Sequence, residues 1–87
     1  MKYYIGRIEE INRGMEYISE FLFCLEEDQT PEDYMDERAK NWRGYLGNDW
    51  NEREQAYECD GSWIRVDSFE EVPERDFEIM EKYLPVI

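Results

Sequence analysis

Residues 15–26 alternate without a break. Tyr17, Ser19, Phe21, Phe23 and Leu25 fall on one side, and Glu16, Ile18, Glu20, Leu22, Cys24 and Glu26 on the other. A period of two belongs to an extended chain whose successive side chains point to opposite faces, one of them half-buried. Residues 2–11 just before it are β-branched and aromatic, as a strand favours. Asn12-Arg13-Gly14 joins the two, a short turn in which glycine accepts positive φ. The first third of the chain therefore reads as a β-hairpin.

Thr30-Pro31-Glu32-Asp33 then reads as a helix start. Threonine caps, proline suits the first helical position, and two acids meet the positive end of the helix dipole. Met35, Ala39 and Trp42 recur at helical spacing, and Gly44 is the expected stop, which predicts a helix over 31–43. Residues 44–52 read as a turn-rich loop. A second hairpin is expected from 54–59 and 62–69 around Asp60-Gly61, a favoured two-residue turn, with Ile64 and Val66 facing the core. Pro73 opens a last helix, expected over 73–84, with Phe77, Met80 and Leu84 as its apolar stripe and Pro85 as its stop.

The fold class expected is α+β: a single small domain, 1–87, in the order ββα-ββα. An antiparallel sheet of about four strands would carry both helices on one face. The expected core is Phe21, Phe23, Leu25, Met35, Ala39, Ile64, Val66, Phe77, Met80 and Leu84. Strand order is not readable from the pattern.

The charge is as unevenly distributed as the hydrophobicity. The formal net charge is −13 over 87 residues. Residues 26–37 hold seven acids and no base: Glu26, Glu27, Asp28, Glu32, Asp33, Asp36 and Glu37. Residues 67–82 hold seven acids, among them Glu70, Glu71, Glu74 and Glu78, against Arg75 and Lys82. Self-repulsion on this scale opposes compaction and has no folding benefit. Yet 41% of the residues are hydrophobic and 16% aromatic, well above the level of a disordered chain, so the reading is a packed domain with a charged skin. Acids near a helix N-terminus are locally stabilising, which accounts for Glu32, Asp33 and Glu74. It does not account for Glu26, Glu27 and Asp28, or for Glu70 and Glu71, which lie ahead of the helices. On the expected helices Glu32 and Asp36, Asp33 and Glu37, and Glu74 and Glu78 are i, i+4 pairs, about 5–6 Å apart. That is close to the spacing of neighbouring phosphates along a nucleic-acid strand, on the order of 6–7 Å. Such rows suit a groove built for a phosphate backbone.

Several chemistries lack their residues. The chain has no histidine, the commonest general base and metal ligand. Gly44 and Gly47 lack the Lys-Ser/Thr that completes a phosphate loop. Cys24 and Cys59 have no zinc or redox spacing and read as small apolar filler. No acidic run follows the calcium-loop pattern. The expectation is a protein that is not an enzyme and takes no cofactor and no metal. No apolar run approaches the ~18 residues of a membrane span, and Met1-Lys2-Tyr3-Tyr4 does not open like a signal peptide, so a cytoplasmic protein without membrane contact is expected. Among the aromatics, Trp42 and Leu46 are expected to cap the core edge. Trp50 is expected to stay outside as a contact anchor, and Trp63 to lie on the open sheet face.

A small, acidic, histidine-free α+β domain with its acids massed in patches resembles the anti-CRISPR and anti-restriction proteins of phages and mobile elements, many of which look like DNA mimics. The resemblance lies in composition and charge layout over the whole chain; that class has no signature motif. It implies inhibition by occupancy: the acidic surface fills the basic nucleic-acid-binding groove of a defence nuclease, in the host cytoplasm if the protein is phage-encoded. The expected partner is a basic protein, without direct nucleic-acid binding, and the expected state is a monomer or weak homodimer. The partner-binding residues expected are the seven acids of 26–37, Trp50, and Glu70, Glu71, Glu74 and Glu78. Two alternatives stand beside this. One is an immunity or antitoxin protein that plugs a basic toxin nuclease. The other is a small housekeeping or ligand-binding domain whose acidity only maintains solubility.

Overall fold

The structure, a computed structural model, describes residues 1–42 and 48–87, with the side chains of all of these but Cys59. Seven elements follow one another: β1 (Lys2–Asn12), β2 (Met15–Leu25), α1 (Pro31–Lys40), β3 (Asp49–Asn51), β4 (Ala56–Cys59), β5 (Ser62–Val72) and α2 (Glu74–Met80). The strands form one sheet in the order β2-β1-β5-β4-β3, antiparallel throughout.

The two hairpins turn as expected. Arg13 and Gly14 have φ of 54° and 79°, and Asp60 and Gly61 have 49° and 84°. Two successive positive φ values are what a two-residue turn needs to match the twist of its strands. Asn12 accordingly pairs with Met15, and Cys59 with Ser62.

The expected ββα-ββα order with four strands is incorrect. Residues 44–52, expected as a loop, contain β3, so the order is ββα-βββα. β3 is three residues, Asp-Trp-Asn, too short and polar to show a period, and its strand state comes from pairing along β4 at the sheet edge.

The expectation of both helices on one face is also incorrect. On β1, Tyr4 and Ile8 join Phe21, Phe23, Leu25 and Ile64 in a cluster closed by Met35 and Ala39 of α1. Tyr3 and Ile5, which point the other way, join Leu22 and Val72 in a second cluster closed by Phe77, Met80 and Leu84. The helices therefore stand on opposite faces. The cause is in β1, where Tyr3, Tyr4 and Ile5 are bulky in succession, so both faces at that end need cover.

A bulge in β5 serves the same arrangement. Ile8 pairs with Val66 but Arg7 pairs with Ser68, which leaves Asp67 as the extra residue. The extra residue reverses the alternation. Ile64, Val66 and Phe69 all reach the α1 side, and Val72 reaches the α2 side.

α1 sits close to the sheet because Gly6 lies beneath it. A Cβ there would come within 2.8 Å of Met35 Sδ and 2.9 Å of Phe23 Cε1. Both helices are shorter than expected. α1 ends at Lys40 with Asn41 as its cap, and α2 ends at Met80, followed by a turn. Gly44 and Leu46 lie outside the described residues. Of the expected core, Phe21, Phe23, Leu25, Met35, Ala39, Ile64 and Phe77 are buried, while Val66, Met80 and Leu84 are half-buried. Cys24 is exposed, because it points to the α2 side at the rim of the sheet, so it is not core filler. The C-terminal residues lie along the outer edge of β2. The Leu22 N–H donates to the Pro85 carbonyl at 2.8 Å, and the Ile87 N–H to the Leu22 carbonyl at 2.9 Å.

Candidate protein-docking surface

The acids of 26–37 begin in the turn between β2 and α1. The Glu26 N–H donates to the Gln29 side-chain oxygen at 3.0 Å, and the Gln29 N–H returns to the Glu26 carbonyl at 3.1 Å. Glu26, Glu27 and Asp28 project from this turn into solvent. α1 then starts on the expected cap, with the Asp33 N–H donating to Thr30 Oγ1 at 3.3 Å. Glu32, Asp33, Asp36 and Glu37 occupy its first two turns and all are exposed. None of the seven acids forms an ion pair among the described residues. Two accept neutral hydrogen bonds: Asp36 from the Tyr57 hydroxyl at 2.7 Å, and Glu37 from Asn41 Nδ2 at 2.9 Å.

The second block is placed differently. Glu70 and Glu71 lie on β5, Glu74 and Glu78 on α2, and all four are exposed. Glu70 is 3.6 Å from Arg7, which is also 2.9 Å from Glu20. The Glu20 hydrogen bond is the main cause that holds the Arg7 guanidinium above its usual pKa, with further contributions from the Glu20 and Glu70 charges. Glu74 accepts from the Tyr3 hydroxyl at 3.1 Å, and that bond, more than burial, raises the Tyr3 phenol. Since α1 and α2 stand on opposite faces, the helical rows of the two blocks do not form one continuous surface.

The aromatics divide as well. Trp42 packs on Phe21 with centroids 6.2 Å apart and caps the α1 cluster, as expected. Trp63 is half-buried; its neighbour on β1 is Ile11, on the α2 side but at the far end of the sheet. Trp50 is 46% exposed, and its indole N–H donates to Glu52 at 2.6 Å.

The structure brings two sequence-singled residues together with a third that the sequence did not single out. Trp50 pairs with Tyr57 across β3 and β4, edge to face at 4.9 Å, and Tyr57 reaches over to Asp36 of α1. These three, with Gln55, Arg65 and Val66, line a cleft of about 330 Å³. Burial, then the hydrogen bond to Asp36, then the charges of Asp36 and Glu37 push the Tyr57 phenol up to about 12. The phenol therefore stays protonated and acts as a fixed donor to Asp36 at neutral pH. Nothing in the sequence marks Tyr57. Its meeting with Asp36 needs both the sheet order and the seat of α1.

Among the described residues no group of three or more His, Cys, Asp and Glu side chains could hold a metal ion, and no helix is long and apolar enough to cross a membrane. In comparisons with known proteins, no family model, no curated protein and no solved structure matched the chain.

Proposed function

We propose that the protein is a non-enzymatic binding inhibitor whose acidic surface occupies the basic nucleic-acid-binding groove of a defence nuclease or a related complex. The observation that carries this reading is the state of the 26–37 acids. All seven are exposed and, among the described residues, none is paired with a cation, on a turn and helix fixed to the larger of the two core clusters. Fixed, uncompensated charge steers a basic partner from a distance and loses no internal pair on binding. Trp50 supplies exposed apolar area beside it for short-range contact. On this reading the protein works in the cytoplasm as a monomer or weak homodimer, and it does not itself bind nucleic acid.

The test is capture of the partner from the native host at low salt, followed by competition. Duplex DNA in excess should displace the captured partner, and rising salt should elute it. A gel shift of DNA with the protein alone at ~100 mM salt should be blank, since like charges repel within the Debye length. A partner indifferent to both salt and DNA, or a clear shift of DNA by the protein alone, would sink the proposal.

A further inference from the structure

The cleft between α1 and the β3–β4 edge has the composition of a cation receptor. One wall is aromatic, with Trp50 half exposed and Tyr57 set edge-on to it. Another is the carboxylate of Asp36, whose Oδ1 accepts the Tyr57 hydroxyl and whose Oδ2 has no ion pair among the described residues. Further acids stand around the cleft. Glu37 is one, since its charge is felt at Tyr57, and Glu52 holds the Trp50 indole. Arg65, the base on the lining among the described residues, has its Nε 3.3 Å from Glu9 Oε1, whose charge offsets it. At about 330 Å³ the cleft is at the small end of ligand pockets, which run ~300–1,000 Å³. It takes one side chain, not a folded ligand.

We infer that this cleft is the anchor point of the acidic surface and receives a single arginine side chain of the basic partner, with the guanidinium stacked on Trp50 and hydrogen-bonded to Asp36. Arginine fits better than lysine. Its planar, weakly hydrated cation both stacks on an indole and donates in-plane to a carboxylate, whereas an ammonium is a compact, strongly hydrated point charge. The inference rests on the reading of the chain as a binder of basic proteins and adds where, and by which residue type, the contact locks.

The test needs no identified partner. The full chain is titrated with the peptide acetyl-Gly-Arg-Gly-amide and, separately, with its neutral citrulline counterpart, while nitrogen–proton spectra follow the Trp50 indole and the Asp36 amide. Saturable shifts of both signals with the arginine peptide, and none with citrulline, are expected. Trp50→Ala should weaken binding about fivefold by removing the stacking surface. Since that change can loosen β3, Asp36→Asn on the exposed face of α1 is the second variant and should weaken it at least as much. Glu16→Gln removes the same unit of charge at a distance and should leave affinity unchanged. The inference is overturned if citrulline binds as well as arginine, if Glu16→Gln and Asp36→Asn weaken binding equally, or if the shifts miss Trp50. Those failures leave the DNA-competition test of the captured partner untouched, so the anchor and the wider acidic surface can fall separately.

Discussion

On each side of the sheet a helix carries acidic residues, and the two sides are built on different terms. Among the described residues, nine buried ones form the main cluster on the α1 side, Gly6 lets the helix sit close, and the acids of 26–37 have no cationic partner. On the α2 side Ile5, Leu22 and Phe77 are the buried cluster residues among those described, the helix is seven residues long, and Glu70 is paired with Arg7. The difference teaches where repulsion is tolerated. Uncompensated charge is carried by the side whose packing can bear it, and the lightly packed side offsets part of its charge locally. A surface that is rigid before binding loses little entropy on binding, which favours the α1 side for docking.

The largest test removes the packing on which the comparison rests. Phe23→Ala should cost ~3–5 kcal/mol in a urea melt, because a fully buried ring stacked on Tyr4 and Tyr34 leaves a cavity beneath α1. Phe77→Ala should fall at the low end of that range, about 3 kcal/mol, and act locally, freeing α2 and the C-terminal residues while the sheet stays protected from hydrogen exchange. Equal losses would break the comparison. Gly6→Ala comes next. The added methyl meets the Met35, Phe23 and Phe21 side chains first, and ~1–3 kcal/mol of overpacking should appear as a lowered melting temperature.

The third test concerns charge. Replacing the seven acids of 26–37 by Gln and Asn should slow association with the captured partner at least about tenfold, ~1.4 kcal/mol, with less change in dissociation. The same treatment of Glu70, Glu71, Glu74 and Glu78 should slow it no more than about twofold. The reverse ranking would move the docking surface to the α2 side. The smallest effect is expected at high pH. The Tyr57 phenol titrates near 10 when unfolded and at about 12 when folded, so the folded state holds the extra proton between these values. Its contribution to stability is complete below pH 10 and lost as pH rises through about 12. Tyr57→Phe should remove that step from the pH–stability curve and lower stability at neutral pH by about 1 kcal/mol.

Both hairpins, the cap of α1 and most of the core were legible in the sequence because each rests on a local rule. Two positive-φ turns, Thr30-Pro31 and the period of 15–26 need no knowledge of the rest of the chain. The features that were not legible depend on partners distant in sequence. β3 has three residues and takes its form from β4. The bulge at Asp67 is defined only against β1, and it changes which face Phe69 and Val72 serve. The opposite placement of the helices did leave a trace, in the unbroken Tyr3-Tyr4-Ile5 and in Leu22 amid the polar side of β2. A pattern that supplies apolar residues to both faces calls for two covers. For the candidate site, the exposure of the acids and of Trp50 followed from composition. The cleft did not, because Asp36 and Tyr57 meet only once α1 lies over a sheet whose order the sequence conceals.

That strand order also sets a timetable for the growing chain. Of the five strands β1 is made before the others, and β2 can fold onto it at once, since Asn12 and Met15 are adjacent across a tight turn. The other edge of β1 belongs to β5, with Asn12 against Ser62 and Tyr3 against Val72. It therefore stays open until most of the chain has left the ribosome, and closing it carries the loop entropy of the whole intervening segment. Through that interval the hairpin is an apolar ribbon with an unsealed side, and the acids of 26–37 are the next residues to emerge. Seven like charges next to an unpaired strand edge oppose edge-to-edge pairing between nascent copies of the hairpin.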